Sequence, residues 1–142
     1  MGNLLNTCDS PPLMTDFNVE AYAGTWYNQW HKTGQTFAPD DATCTQAIYS
    51  DLQDDGSFTV GNSYQDKDFG EREYATGWGS CPDESGQCYV QFWYIPPFSP
   101  NYIVLATDYE SFSIVYSCDW KSSSLWILTR DQVPDPMLFT KL

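Results

Sequence analysis

The sequence predicts an all-β fold, an eight-stranded antiparallel up-and-down barrel forming a single domain over residues 1–142, and three observations predict it. Eight strand-length runs, apolar or alternating, follow one another with turn signals between them. No helical periodicity persists beyond two turns. The composition is 42% hydrophobic and 17% aromatic, so the rings need a shared interior that a disordered acidic chain would not provide.

The runs are Gly24 to Trp30, Cys44 to Asp51, Ser57 to Tyr64, Glu71 to Gly79, Cys88 to Ile95, Asn101 to Thr107, Phe112 to Cys118, and Ser124 to Arg130. Between them stand Asp54-Asp55-Gly56, Asp68-Phe69-Gly70, Pro82 to Gly86, Pro96-Pro97 through Pro100, Asp108 to Ser111, and Asp119 to Ser123. These are hairpin-length connections rich in turn formers, so neighbouring strands pair in sequence order. The exception is His31 to Thr43, long enough to fold over a surface as a lid. Strands paired in order suit a closed barrel, because closure removes the exposed edges. A barrel of this size encloses side chains or one small ligand.

Charge and cysteine content narrow the function. Six Lys plus Arg stand against nineteen Asp plus Glu, a net charge of −13, which excludes the electrostatic footprint of a nucleic-acid binder and disfavours anionic membrane surfaces. No run reaches the roughly 18 to 20 apolar residues of a membrane span. Met1 to Pro12 has neither a basic start nor an apolar core, so the Met-Gly start is read as standing where an export signal has been removed. Five Cys without paired Cys-x-x-Cys motifs read as a disulfide framework, hence a secreted, extracellular protein.

Alternation shows which side chains share a face. Phe58, Val60, Asn62 and Tyr64 lie together in the third run, Val90, Phe92 and Tyr94 in the fifth, and Ala47 with Tyr49 in the second. Such rings either fill a solid core or line a cavity. Asn62 favours the cavity, since a polar group on an apolar face needs a partner and small-ligand sites combine apolar rings with a few polar groups. Catalysis has little to work with. His31 is the only imidazole, which excludes zinc sites of two or three His, and no nucleophile elbow, zincin or phosphate-loop motif is present. No metal is expected, and the acidic pairs Asp40-Asp41 and Asp54-Asp55 read as solvated loop charge.

Tyr22-Ala23-Gly24-Thr25-Trp26-Tyr27, Thr107-Asp108-Tyr109 and the strand-closing Arg130 resemble, in order and spacing, the three signatures of the lipocalin family. The resemblance runs from about Cys8 to Arg130. It is strongest from Val104 to Tyr109 and from Val115 to Cys118, and favours the branch containing apolipoprotein D, the insect bilin-binding proteins and the crustacyanins. It implies one lipocalin domain, a calyx open at one end, with Trp26 plugging the closed end beneath the Arg130 guanidinium. By position it also implies that Tyr49, Asn62 and Trp126 line the pocket. The candidate ligand-binding set is therefore Ala47, Tyr49, Phe58, Val60, Asn62, Tyr64, Phe92, Tyr94 and Trp126.

The function the resemblance implies is carriage of a small hydrophobic ligand, a conjugated pigment (bilin or carotenoid) being favoured. The alternatives kept open are a colourless lipid or steroid carrier, a lipocalin-type enzyme using the same cavity, and a dimerising interaction protein with a solid barrel. The resemblance also implies a Cys8–Cys118 bridge. Cys81 and Cys88, flanking six residues, read as a local bridge across a hairpin tip. Cys44 has no expected partner: it is buried and inert, links two chains into a homodimer or higher oligomer, or is the residue that pairs with a longer tail in relatives. Relatives continue into a packed helix, whereas Asp131 to Leu142 contains Pro134 and Pro136, so that helix is expected to be missing or reduced to one turn.

Overall fold

The computed structural model describes residues 11–32, 43–66, 70–92, 97, 99–118 and 123–142. Eight strands form one closed antiparallel barrel in sequence order, β8 returning to pair with β1. They are β1 (Gly24–Lys32), β2 (Thr43–Ser50), β3 (Ser57–Gln65), β4 (Arg72–Ser80), β5 (Gln87–Gln91), β6 (Tyr102–Thr107), β7 (Phe112–Cys118) and β8 (Ser123–Thr129). A four-residue helix α1 (Val19–Tyr22) precedes β1, and a 3-10 helix (Pro136–Lys141) follows β8. Pro136 sits in its first turn, where a missing N–H costs nothing.

The described part of the fifth strand runs from Gln87 to Gln91, and Trp93 to Ile95, the rest of its apolar run, lie outside the described residues. Asn101 ties this strand to the sixth: its side-chain amide accepts from Val90 N and donates to Val90 O, both at 2.8 Å. The sixth strand begins one residue later than expected, at Tyr102. The long segment read as a lid lies mainly at 33–42, outside the described residues.

Three connections gather at the end where α1 enters: β2–β3, β4–β5 and β6–β7. Each is closed by an aspartate that accepts from a nearby serine. Asp55 takes Ser57 N at 2.9 Å and Ser57 Oγ at 2.6 Å, and Asp83 takes Ser85 N at 2.9 Å together with Ser85 Oγ. Asp108 takes the backbone N–H groups of Glu110, Ser111 and Phe112 at 2.8–3.1 Å, and the Ser111 hydroxyl. Burial alone would push the Asp108 carboxyl up. The bonds from Ser111, Phe112 and Glu110 outweigh it and hold the group below its ordinary value.

Because that folded value is depressed, the stabilisation is present above the unfolded pKa and lost as pH falls through the folded one. Asp108→Ala is expected to cost about 1–2 kcal/mol at neutral pH. Urea unfolding should show the gap to wild type narrowing as the carboxylate protonates below its ordinary range; a gap unchanged between pH 7 and pH 2.5 would contradict this account.

The interior holds Trp26, Val60, Val104 and Val115, all essentially inaccessible, with Phe17, Tyr22, Tyr49, Phe58, Cys88 and Leu128 around them. The segment before β1 seals the floor. Phe17 N donates to Glu84 O at 2.8 Å, tying it to the β4–β5 turn, and Asn18 caps α1 by accepting from Ala21 N at 3.1 Å. That cap points Tyr22 into the barrel. Cys81 and Cys88 form the expected local disulfide. Cys118 is also disulfide-bonded, while its expected partner Cys8 lies outside the described residues. Cys44 is free and exposed.

Candidate functional site

The closed end is built on Trp26. Its indole N–H donates to Tyr22 O at 2.8 Å, and the Arg130 guanidinium carbon lies 3.9 Å from the ring centroid. Arg130 also donates to Tyr109 O (2.9 Å), Thr25 O (3.0 Å), Ala21 O (3.0 Å) and Tyr22 O (3.2 Å), stitching α1, β1 and the β6–β7 turn together. Gly24 has φ +107°, and a Cβ there would stand 2.9 Å from Arg130 Nη1. The Gly-x-Trp spacing thus has a steric cause: only glycine leaves room for the cation that covers the plug.

Beside the plug, towards the α1 end, lies a buried phenol network. Tyr22 Oη is 2.7 Å from both Tyr102 Oη and Ser113 Oγ, and Tyr49 Oη donates to Tyr102 Oη at 2.9 Å. The rings pack as they bond: Tyr22 stacks on Trp26 (5.1 Å) and on Tyr49 (5.8 Å), while Tyr102 meets Tyr49 edge-on at 5.8 Å. Burial pushes the Tyr22 phenol up to about 12, although bonds to Ser113 and Tyr102 and the nearby Arg130 pull the other way. Tyr49 and Tyr102 are raised too, first by burial and then by their phenol neighbours. A narrow apolar cavity of about 20 Å³ opens among Tyr22, Tyr49, Phe58, Val90 and Tyr102 and reaches the Cys81–Cys88 bridge.

Register places the predicted residues at successive heights. Tyr49 pairs with Val60, and Phe58 faces Gly79 across from Val90, all low in the barrel. Tyr49, Phe58 and Val60 are buried core residues. A Cβ on Gly79 would lie 2.9 Å from Phe58 Cε2, so the missing side chain is what lets that ring lie flat against β4. One step towards the other end, Asn62 pairs with Ala47 on one side and Ala75 on the other, and Ala47 in turn pairs with Trp26. Tyr64 follows at the far end of β3, half-buried. Phe92 and Trp126 are half-buried against the core, Trp126 opposite Val115. Tyr94 lies outside the described residues.

Periodicity missed several residues. Tyr22 and Tyr102 complete the phenol network with Ser113, and no local pattern marks them as partners because 80 residues separate the two tyrosines. Asn28 and His31 were missed as well. A bulge between Asn28 and Trp30 shifts the β1 register, so that Asn28 pairs with buried Leu128 and His31 with Trp126, while Trp30 turns outward, 46% exposed. Asn28 Nδ2 donates to His31 Nδ1 at 3.2 Å. Asn28 Oδ1 and Asn62 Oδ1 are both buried and accept no hydrogen bond from any described residue. Among the described residues no group of three His, Cys, Asp or Glu side chains could hold a metal ion, and no helix is long and apolar enough to cross a membrane.

Comparison with known proteins agrees with this geometry. Residues 17–140 match the family described as "Lipocalin-like domain". Apolipoprotein D of Rattus norvegicus is 35% identical over 145 residues, covering 97% of this chain and 74% of the rat protein. Lazarillo protein of Schistocerca americana is 34% identical over 137 residues, covering 88% of this chain and 61% of its own. Among solved structures, insecticyanin of the tobacco hornworm Manduca sexta superposes with a TM-score of 0.78 at 24% identity, covering 99% of this chain and 78% of that one. The amine-binding protein of Rhodnius prolixus, in its tryptamine complex, gives 0.71 at 18% identity, covering 96% and 77%. With the family match, the apolipoprotein D similarity and the closed eight-stranded barrel in hand, the chain belongs to the lipocalin family, in its apolipoprotein D-like branch.

Proposed function

We propose that the chain is one lipocalin domain, secreted, which carries a small hydrophobic molecule in its barrel, and that the molecule is a conjugated pigment, a bilin or carotenoid. The coarser half of this reading, a hydrophobic cargo, is supported by family membership and by the closed barrel with its ringed interior. The single observation that carries the finer half is the inward series Phe58, Val60 and Asn62 on β3, a polar amide following two buried apolar side chains, with Phe92 and Trp126 packed against the same core. Flat conjugated ligands suit such walls, since offset stacking adds about 0.5–1.5 kcal/mol per ring pair beyond burial. A disulfide-bonded, strongly acidic chain is consistent with an extracellular carrier.

The decisive experiment is extraction of the protein from its source, with absorption and mass spectrometry of the solvent phase. A visible chromophore is expected; recovery of saturated lipid alone would overturn the pigment while leaving the carrier. In the pigment-loaded protein, Asn62→Leu is expected to shift the visible band or reorder ligand preference while changing unfolding free energy by less than about 1 kcal/mol, since it also removes an unpaired buried carbonyl. An unaltered spectrum and affinity would take Asn62 out of the site.

A further inference from the structure

The outward face of β2, β3 and β4 takes no part in holding a cargo, yet it carries exposed rings. Tyr74 and Trp78 are 74% and 52% exposed, the two most exposed aromatic side chains among the described residues, and Ile48 is exposed near them. Register places all three around Gly61. Ile48, Gly61 and Thr76 stand abreast on β2, β3 and β4, while Tyr74 lies opposite Ser63 and Trp78 opposite Thr59. A Cβ on Gly61 would meet nothing closer than Ile48 O at 3.9 Å, so the space above it is open. The wall is therefore a shallow groove, with Ile48 on one bank and the two rings, about 13 Å apart along β4, on the other.

Charge decides what can lie there. Of the side chains that face outward in the ladders joining β1 to β5, Arg72 alone is charged, although the chain holds nineteen Asp plus Glu. Arg72 is turned along the wall, where it donates to Ser63 Oγ at 2.9 Å and to Cys44 O at 2.7 Å. The carboxylates begin beyond the strand ends, at Asp51, Asp54 and Asp55 and at Asp66 and Glu71. An uncharged aromatic centre with a charged rim is the anatomy of a protein interface. A basic partner would be drawn to the acidic ends instead. A partner as acidic as the chain itself can approach only where no carboxylates oppose it, and this wall meets that condition.

We propose that the wall is a self-association surface, on which two copies of the chain pack about a twofold axis between Gly61 and Thr76. Rotation about that axis sets Thr76 of each copy over Gly61 of the other and brings Tyr74 of each beside Trp78 of the other. The wall, about 19 Å across five strands and about 26 Å along β3, presents roughly 500 Å² per copy. That is the small end of specific interfaces, so the dimer is reversible, with a dissociation constant of micromolar order.

Sedimentation equilibrium of the full chain between about 1 and 200 μM tests this. A monomer–dimer equilibrium is expected, tightening severalfold between low salt and about 0.5 M NaCl, because screening relieves the repulsion between two chains at −13. Thr76 is exposed, so the fold tolerates a charge there. Thr76→Glu is expected to weaken the dimer by about tenfold or more, since two carboxylates then meet across the axis. An equimolar mixture of Thr76→Glu and Thr76→Lys should recover it as a mixed pair. A chain that stays monomeric under all these conditions overturns the proposal. So does a dimer that Thr76→Glu leaves unchanged, which would sit on another face or on a disulfide through Cys44. Quenching of tryptophan emission by a soluble oligosaccharide, in a chain that stays monomeric, would assign the wall to a sugar and overturn self-association as well.

Discussion

Trp26→Ala is expected to cost about 3–5 kcal/mol of folding stability, the range for removing a large aromatic from a closed core. Trp26 is inaccessible to solvent and is contacted from three sides. Tyr22 stacks on one face at 5.1 Å, Arg130 stands 3.9 Å from the ring centroid, and the indole N–H is held by Tyr22 O. Losing the ring therefore leaves a cavity beneath Tyr22 and a guanidinium deprived of its aromatic surface, although that cation keeps its bonds to four carbonyls. Because those carbonyls belong to α1, β1 and the β6–β7 turn, the closed end should loosen as a unit. Urea unfolding would measure the loss, and hydrogen exchange at Thr25 and Tyr109 would show where it falls. A loss below about 1 kcal/mol would mean that the floor is sealed by something other than this plug.

The second large effect concerns alkali. Tyr22, Tyr49 and Tyr102 have folded-state pKa values raised above the ordinary phenol value of 10.0, Tyr22 to about 12, with burial as the leading cause in each. A group that holds its proton more tightly when folded contributes stability that is fully present below the unfolded pKa and disappears as pH rises through the folded one. For Tyr22 alone, moving from 10.0 to about 12 corresponds to about 3 kcal/mol, and its two partners add to this. The folded state should therefore lose stability steeply between pH 10 and pH 12. In a spectrophotometric titration, Tyr22, Tyr49 and Tyr102 should stay un-ionised until the barrel opens, then ionise together with the loss of near-UV dichroism. Tyr102→Phe tests the network directly. It leaves the Tyr49 hydroxyl without its acceptor and removes one of the two partners of Tyr22, and is expected to cost about 1–3 kcal/mol at pH 7. Ionisation of Tyr22, Tyr49 and Tyr102 near pH 10 without unfolding would refute the burial on which this rests.

What the amino-acid order determined by itself was local and periodic. Period-two alternation put Ala47 with Tyr49 and set Phe58, Val60 and Asn62 on one face, because a strand can present only two faces. Turn chemistry at Asp54-Asp55-Gly56 and Asp108 to Ser111 fixed where strands reverse, hence a pairing in sequence order that closes on β1. The likeness of Gly24-Thr25-Trp26 and Arg130 to the lipocalin signatures implied the plug. Tertiary structure alone decided three other matters. It tied the fifth strand to the start of the sixth, since the Asn101 side-chain amide bonds both the N–H and the carbonyl of Val90, eleven residues earlier. It joined Tyr22, Tyr49, Tyr102 and Ser113 into one network, since they meet only when four separate elements converge on the floor. It also brought Asn28 and His31 together, because the bulge in β1 breaks the alternation from which a face is read. Alternation records which side a residue occupies; what it touches there depends on strands distant in the chain, and only closure of the barrel brings them into contact.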